Sequence, residues 1–239
     1  MTKLKAPPEI IKLLAHDLRW SLVLALRRSD YRVNELVNQV GEPANAVSYH
    51  LKQLREADIV HNRRSDADGR DVYYSLNITA LNEQYMSVGE QLNTIVAQPH
   101  RQQDTALRVL VLCTHNSARS QMAEGFLRHY GGDALEIYSA GSHPTVVNPD
   151  AIRAMDHFGV DIRAQASNHI SEYQDQSFDY VITVCDYARE VCPHFDKGEQ
   201  IHWGFSDPSK VRDDNQRTTA FVDVAASIKS RIEQFLKVT

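Results

Sequence analysis

At 239 residues, with 42% hydrophobic and 24% charged side chains, the chain is long enough for two ordinary globular cores, and it shows no long apolar run and no leading signal segment, so a soluble, cytoplasmic protein is expected. Its three cysteines, Cys113, Cys185 and Cys192, all lie in the second half, which excludes a disulfide-stapled scaffold and points to reduced, reactive thiols. The net charge of −5 is uneven: residues 1–104 carry 13 basic and 13 acidic side chains and residues 105–239 carry 13 and 18, so the first half is no polycationic nucleic-acid binder and any DNA contact must rest on local placement.

In chain order, Ile10, Ile11, Leu13, Leu14, Leu18, Leu22, Val23 and Leu26 recur at helical spacing, as do Leu36, Val37 and Val40, and then Val47, Leu51 and Leu54. Between the last two runs stands Gly41-Glu42-Pro43, where glycine ends one helix and proline opens the next. This is a helix-turn-helix pattern. Ile59-Val60 and Val72-Tyr73-Tyr74-Ser75-Leu76 flank a polar stretch containing Asp68-Gly69, which predicts a hairpin with arginines near its tip, a wing. Helical spacing returns from Leu81 to Val96, and the polar residues that follow predict a linker over 98–106. A winged helix-turn-helix domain over 1–97 and a second domain over 107–239 are therefore expected.

In the second half, short apolar strands alternate with helices. Strands are predicted at 107–112, 135–139, 180–184 and 200–203, and helices at 120–130, 149–158 and 218–237. Buried strands alternating with helices imply an α/β domain with a small four-stranded parallel sheet. The first strand runs into Cys113, Thr114, His115, Asn116, Ser117, Ala118, Arg119 and Ser120 at a helix start. Such a loop aims backbone N–H groups at one point and suits an oxyanion. Cys113 and Arg119 there suit nucleophilic attack on a tetrahedral oxyanion, since the helix terminus and the guanidinium favour a thiolate and the arginine can bind two oxygens. Taken alone, Asp207-Pro208 reads first as a turn.

The segments Cys-Thr-His-Asn-Ser-Ala-Arg-Ser-Gln-Met-Ala-Glu, Tyr-Ser-Ala-Gly, Val-Asn-Pro and His-Trp-Gly-Phe-Ser-Asp-Pro, in order over about residues 107–237, resemble the thioredoxin-coupled arsenate reductases. These share the fold of the low-molecular-weight protein tyrosine phosphatases. The resemblance implies that Cys113 attacks arsenate, that Arg119 binds it, and that Asp207 protonates the leaving oxygen. It also implies that Cys185 and Cys192 form the disulfide relay, with thioredoxin as external reductant and no tightly bound cofactor. Two electrons must reach the arsenic, so a second thiol separates a reductase from a phosphatase, the competing assignment. A zinc pair with His194 and His202 lacks the usual four-ligand spacing. Some members of the family bind potassium beside the loop; Asn116, Glu124, Ser139 and Asn168 stand at those positions, with Asn168 in place of the usual aspartate.

Residues 44–57 resemble the recognition helix of ArsR-type repressors. Val47, Leu51 and Leu54 are expected to face the core, leaving Asn45, Ser48, Tyr49 and Lys52 for a major groove of operator DNA, with Arg63, Arg64 and Arg70 on phosphates. The resemblance implies a homodimer through this domain. Val37 and Gln39 occupy the positions where arsenite-sensing relatives place a cysteine pair. A transcription factor whose second domain binds an oxyanion without turnover is the remaining alternative.

Overall fold

The computed structural model describes residues 6–92, 106–191, 195 and 198–236. Most of the predicted linker, the end of the helix predicted to Val96, and Cys192, Pro193 and His194 lie outside the described residues. The described residues form two compact units, one over residues up to 64 and from 70 to 92, the other over residues 65–69 and those from 106 onward.

The first unit opens with α1 (Glu9–Leu14) and α2 (Asp17–Arg28). The apolar run from Ile10 to Leu26 is thus two helices. His16 breaks it by taking an extended backbone, and its Nδ1 accepts the Leu18 N–H at 3.2 Å, so the side chain caps the second helix. After β1 (Tyr31–Arg32), α3 (Val33–Val40) ends at Gly41, whose φ of 70° is the left-handed conformation that terminates helices. Pro43 precedes α4 (Ala44–Glu56). The strands β2 (Val60–Arg64) and β3 (Val72–Leu76) pair antiparallel from Val60 opposite Leu76 to Arg64 opposite Val72. The helix α5 (Ile78–Gln91) follows.

β1 joins β3 to give the order β1-β3-β2. Two residues are too short for an alternation pattern, and Arg32 anchors that strand instead, 2.7 Å from Asp71. Leu22, Leu26, Leu36, Val47, Leu51, Leu54, Ile59 and Val60 fill this core. Each contributes about 1.5–3 kcal/mol by leaving water.

The second unit carries a parallel sheet of β4 (Leu107–Cys113), β5 (Leu135–Gly141), β6 (Tyr180–Thr183) and β7 (Glu199–His202), in the order β5-β4-β6-β7. Alternation along β4 sends Val109 and Val111 to the face packed by α6 (Arg119–Gly131), α7 (Pro149–His157) and α9 (Asp214–Leu236), and Leu110 and Leu112 to a second cluster with Ile170, Phe178 and Phe195. α7 starts where Asn148 accepts the Asp150 N–H, with proline at its first position. α9 begins four residues before the predicted start because Asp213 caps it, accepting the Gln216 N–H at 2.9 Å.

A short α8 (Asp186–Val191) lies between β6 and β7. From β4 the chain passes to β5 on one side and later to β6 on the other. The C-terminal end of β4 is therefore the switch point where α/β sheets bind ligands. Cys113 ends that strand. Among the described residues, no helix is long and apolar enough to cross a membrane.

Candidate functional site

Between β4 and α6 the chain wraps into a loop whose carbonyls are taken up from outside. Thr114 O accepts the His143 N–H at 2.8 Å, His115 O the Thr145 N–H at 2.9 Å, and Ser117 O the Asn148 N–H at 2.8 Å. Asn116 O accepts Ser167 Oγ at 2.6 Å and Gln121 Nε2 at 3.1 Å. In a planar trans peptide the N–H lies opposite the C=O, so carbonyls held outward turn amides inward. The N-terminus of α6 adds its partial positive charge to the same hollow.

Asn116 bends the loop with φ of 47°, a conformation asparagine tolerates. Its Nδ2 donates to Ser120 Oγ at 2.9 Å and Ser139 Oγ at 2.7 Å. Gly141 backs the loop closely: a Cβ there would meet Thr114 O at 2.6 Å and Asn116 N at 2.8 Å.

Cys113 is buried within this cradle, its Sγ receiving the Asn116 N–H at 3.1 Å and lying 3.0 Å from Ser120 Oγ. Arg119, 8% exposed, donates Nη1 to Phe205 O at 2.8 Å and Nη2 to Asp207 Oδ2 at 3.0 Å. Asp207 also caps the turn Pro208–Lys210, its Oδ1 accepting the Ser209 N–H at 3.1 Å and Oγ at 2.7 Å. The turn reading of Asp207 is therefore realised through Oδ1, while Oδ2 faces Arg119 at the loop. Burial pushes its carboxyl up, but the Arg119 guanidinium and the Ser209 bonds outweigh that and hold it below the usual carboxylate range.

Cys185 follows β6 and is 2% exposed. Its Sγ lies 3.4 Å from Thr114 Oγ1 on the loop and receives the Ala188 N–H at 3.4 Å. Burial, with the neighbouring Cys113, pushes this thiol above its ordinary range despite Arg119 and Thr114. It stays protonated at neutral pH. We therefore expect the rate of Cys185 alkylation in the full chain, followed by peptide mass spectrometry, to rise with a midpoint above the free-thiol value of about 8.5. A midpoint at or below that value contradicts the burial argument.

Four of the five residues assigned catalytic roles on sequence are thus described around one loop, and the fifth, Cys192, lies outside the described residues. Spacing gave no sign of Gln121, a fully buried amide bridging Asn116 O and Ala166 O, or of the 142–148 stretch that turns the loop carbonyls outward. Gly141 closes the Tyr-Ser-Ala-Gly segment, but only the backbone geometry explains why it is glycine.

The potassium positions are occupied by a closed hydrogen-bond chain. Ser139 Oγ donates to Glu124 Oε2 at 2.6 Å, Arg128 Nε donates to Glu124 Oε1 at 2.9 Å, and the Asn168 N–H donates to Asn116 Oδ1 at 2.8 Å. Glu124 is thus balanced by a guanidinium, and Asn168 brings no second charge, so this donor set does not fit a cation. Among the described residues, no three His, Cys, Asp or Glu side chains are grouped to hold a metal.

On the first unit, α4 buries Val47, Leu51 and Leu54 and exposes Asn45, Ser48, Tyr49 and Lys52. Of the wing arginines, Arg64 and Arg70 are exposed, whereas Arg63 folds back with its guanidinium 5.3 Å over the Tyr73 ring and 3.9 Å from Asp30.

The family model described as low molecular weight phosphotyrosine protein phosphatase matches residues 108–239, and that of bacterial regulatory proteins of the arsR family matches residues 16–62. An arsenate reductase of Halalkalibacterium halodurans is 43% identical over 129 residues, 53% of this chain and 93% of that protein. One from Shouchella clausii is 41% identical over 132 residues, again 53% and 93%. A solved arsenate reductase in the phosphate binding state superposes with a TM-score of 0.49 at 31% identity, covering 54% of this chain and 96% of that one.

Proposed function

This chain belongs to the low molecular weight phosphotyrosine protein phosphatase family and to the arsenate reductases, joined to an arsR-family helix-turn-helix, and on that premise we propose that it reduces arsenate to arsenite through Cys113, Cys185 and Cys192, with thioredoxin regenerating the thiols. The observation that carries the reading is the second buried thiol facing the loop, Cys185 Sγ at 3.4 Å from Thr114 Oγ1. A phosphatase needs one cysteine and a water. A reductase needs a sulfur that can attack the first.

Arsenate enters the loop, its oxygens meeting the inward amides and Arg119. Cys113 sulfur attacks arsenic and one oxygen leaves as water, protonated by Asp207. Cys185 then attacks Cys113 sulfur; the pair of electrons in the sulfur–arsenic bond goes to arsenic, which departs as arsenite, and the Cys113–Cys185 disulfide remains. The two thiols supply the two electrons and two protons that balance arsenate to arsenite plus water. Cys192 then attacks Cys185, freeing Cys113 and forming a disulfide that thioredoxin reduces.

The second exchange requires rearrangement. Seven helical residues separate two Cα atoms by about 10.5 Å, whereas a disulfide requires less than about 7 Å. If the helical form of α8 (Asp186–Val191) extended from Cys185 to Cys192 the two sulfurs could not pair, and the segment would have to leave that form, offering the disulfide to the reductant. Cys192→Ser is expected to permit one reduction and then hold the Cys113–Cys185 disulfide, read by mass spectrometry of peptides after arsenate. Repeated turnover in that variant would mean that an external thiol resolves the first disulfide directly.

The N-terminal unit is proposed as an operator-binding regulator of arsenic resistance, acting as a homodimer. Its support is the arsR-family match with the exposed Asn45, Ser48, Tyr49 and Lys52 on one helix face. Lys52→Ala should weaken binding to the protein's own promoter across sequences and flatten its salt dependence, as fluorescence anisotropy would report. An unchanged salt slope removes Lys52 from the DNA face.

A further inference from the structure

One buried ionic group lies outside the chemistry just described. Asp186, 1% exposed, directly follows Cys185 and opens α8, while His202, 0% exposed, ends β7. His202 Nε2 stands 3.1 Å from Asp186 Oδ1, and His202 Nδ1 stands 2.9 Å from Thr183 Oγ1. Thr183 and His202 are register partners across β6 and β7. With a proton on Nε2 the imidazole donates to the carboxylate, and its Nδ1 faces the Thr183 hydroxyl.

Full burial of a carboxylate costs several kcal/mol before its partners compensate, and apolar side chains fill a purely structural corner at less expense. The position of this pair is therefore informative. Before Cys185 the chain is held by the sheet: the Val184 N–H donates to Leu112 O at 2.8 Å, and the Trp203 N–H donates to Thr183 O at 2.9 Å. After Cys185 begins α8, the segment that the proposed relay would rearrange. The Asp186 side chain ties the start of α8 to the end of β7 through His202, and its other oxygen accepts the Asp66 N–H at 2.7 Å.

We propose that the Asp186–His202 pair is a positioning device for Cys185, pinning the first residue of α8 to the sheet so that Cys185 sulfur stays aimed at the Cys113 loop while the residues beyond 186 rearrange. The inference rests on the relay. Without the pin, unwinding would carry Cys185 away with the rest of the helix, and a displacement of about 1 Å from attack geometry can cost a step on the order of 10²-fold.

The test uses the full chain in a Cys192→Ser background, which stops the relay at the first disulfide. Asp186→Ala and Asp186→Asn are compared in two arms. Arsenate drives the proposed reaction in one. In the other, hydrogen peroxide oxidises Cys113 to the sulfenic acid with release of water, and attack by Cys185 releases a second water. The rate of Cys113–Cys185 disulfide formation is read by mass spectrometry after an acid quench, and the rate of Cys113 alkylation by iodoacetamide reports whether the loop is intact.

Asp186→Ala should slow the disulfide by at least about tenfold in both arms with Cys113 alkylation within twofold, and Asp186→Asn, which keeps an oxygen for His202 and gives up the one that accepts the Asp66 N–H, should restore part of the rate. Disulfide formation at the parent rate in Asp186→Ala under peroxide overturns the proposal. So does a loss that Asp186→Asn fails to restore. Peroxide activity in the parent without arsenate activity would refute the reductase reading alone, and the peroxide arm would still decide the role of the pair. If Asp186→Ala loses its cooperative thermal transition, His202→Gln is judged by the same rates.

Discussion

Cys113→Ser should abolish arsenate turnover, by more than about 10⁴-fold, while the thermal transition stays that of the parent chain. The serine hydroxyl would occupy the same buried place, with the Asn116 amide and the Ser120 hydroxyl beside it. It is not ionised at neutral pH, and an oxygen cannot be one half of a disulfide, so both the attack and the electron transfer fail together. The loop amides and Arg119 are untouched by the change. The variant should therefore still bind tetrahedral oxyanions, which phosphate-dependent thermal stabilisation would reveal. Residual arsenite production within 10² of the parent would place the nucleophile elsewhere.

The second large effect is expected at Asp207. Asp207→Asn should slow arsenic–oxygen bond cleavage by roughly 10²- to 10⁴-fold, the usual range for a positioned general acid. At first sight the free site argues against an acid, because Arg119 and Ser209 hold this carboxyl below its ordinary range. Arg119 is, however, the residue that must turn to the substrate. Once an oxyanion takes its hydrogen bonds, a negative charge replaces the guanidinium beside Asp207, and a nearby negative charge raises a carboxyl pKa. The lowered pKa of the free site thus goes with the pair of Arg119 Nη2 and Asp207 Oδ2 at 3.0 Å, which on the proposed mechanism substrate would open.

The acid form of the free enzyme is lost as pH rises through a depressed pKa, so kcat/KM in the parent should fall with rising pH across that range, and Asp207→Asn should lose this limb. Rates within twofold of the parent at every pH would leave Asp207 with its turn-capping bonds to Ser209 as its whole role.

What could be read in the residues alone was whatever local chemistry determines. The parallel sheet followed from apolar runs too short for helices, and α4 from the spacing of Val47, Leu51 and Leu54, because burial on one face imposes that period. The cysteine loop was legible because a strand, a thiol, five residues and an arginine before a helix leave few other geometries. The break at His16, the two-residue β1 and the early start of α9 were not legible, since each depends on one side chain finding a particular backbone group. Long-range partners were hidden for the same reason. Nothing in sequence spacing brings Gln121 to Ala166, Asp207 to Arg119 across 88 positions, or His202 to Asp186. Arg63 shows the limit from the other side: its composition suggested a phosphate contact, and its geometry packs it on Tyr73.

Whether this loop and its second thiol move two electrons to arsenate is tested by following NADPH oxidation with the full chain, thioredoxin and thioredoxin reductase, with and without arsenate, beside a p-nitrophenyl phosphate assay of the same preparation. NADPH oxidation should require arsenate, yield one arsenite per NADPH, and be lost in Cys113→Ser and in Cys185→Ser. Hydrolysis of p-nitrophenyl phosphate that survives Cys185→Ser, with no arsenate-dependent NADPH oxidation in the parent, would contradict it and make the domain a phosphatase.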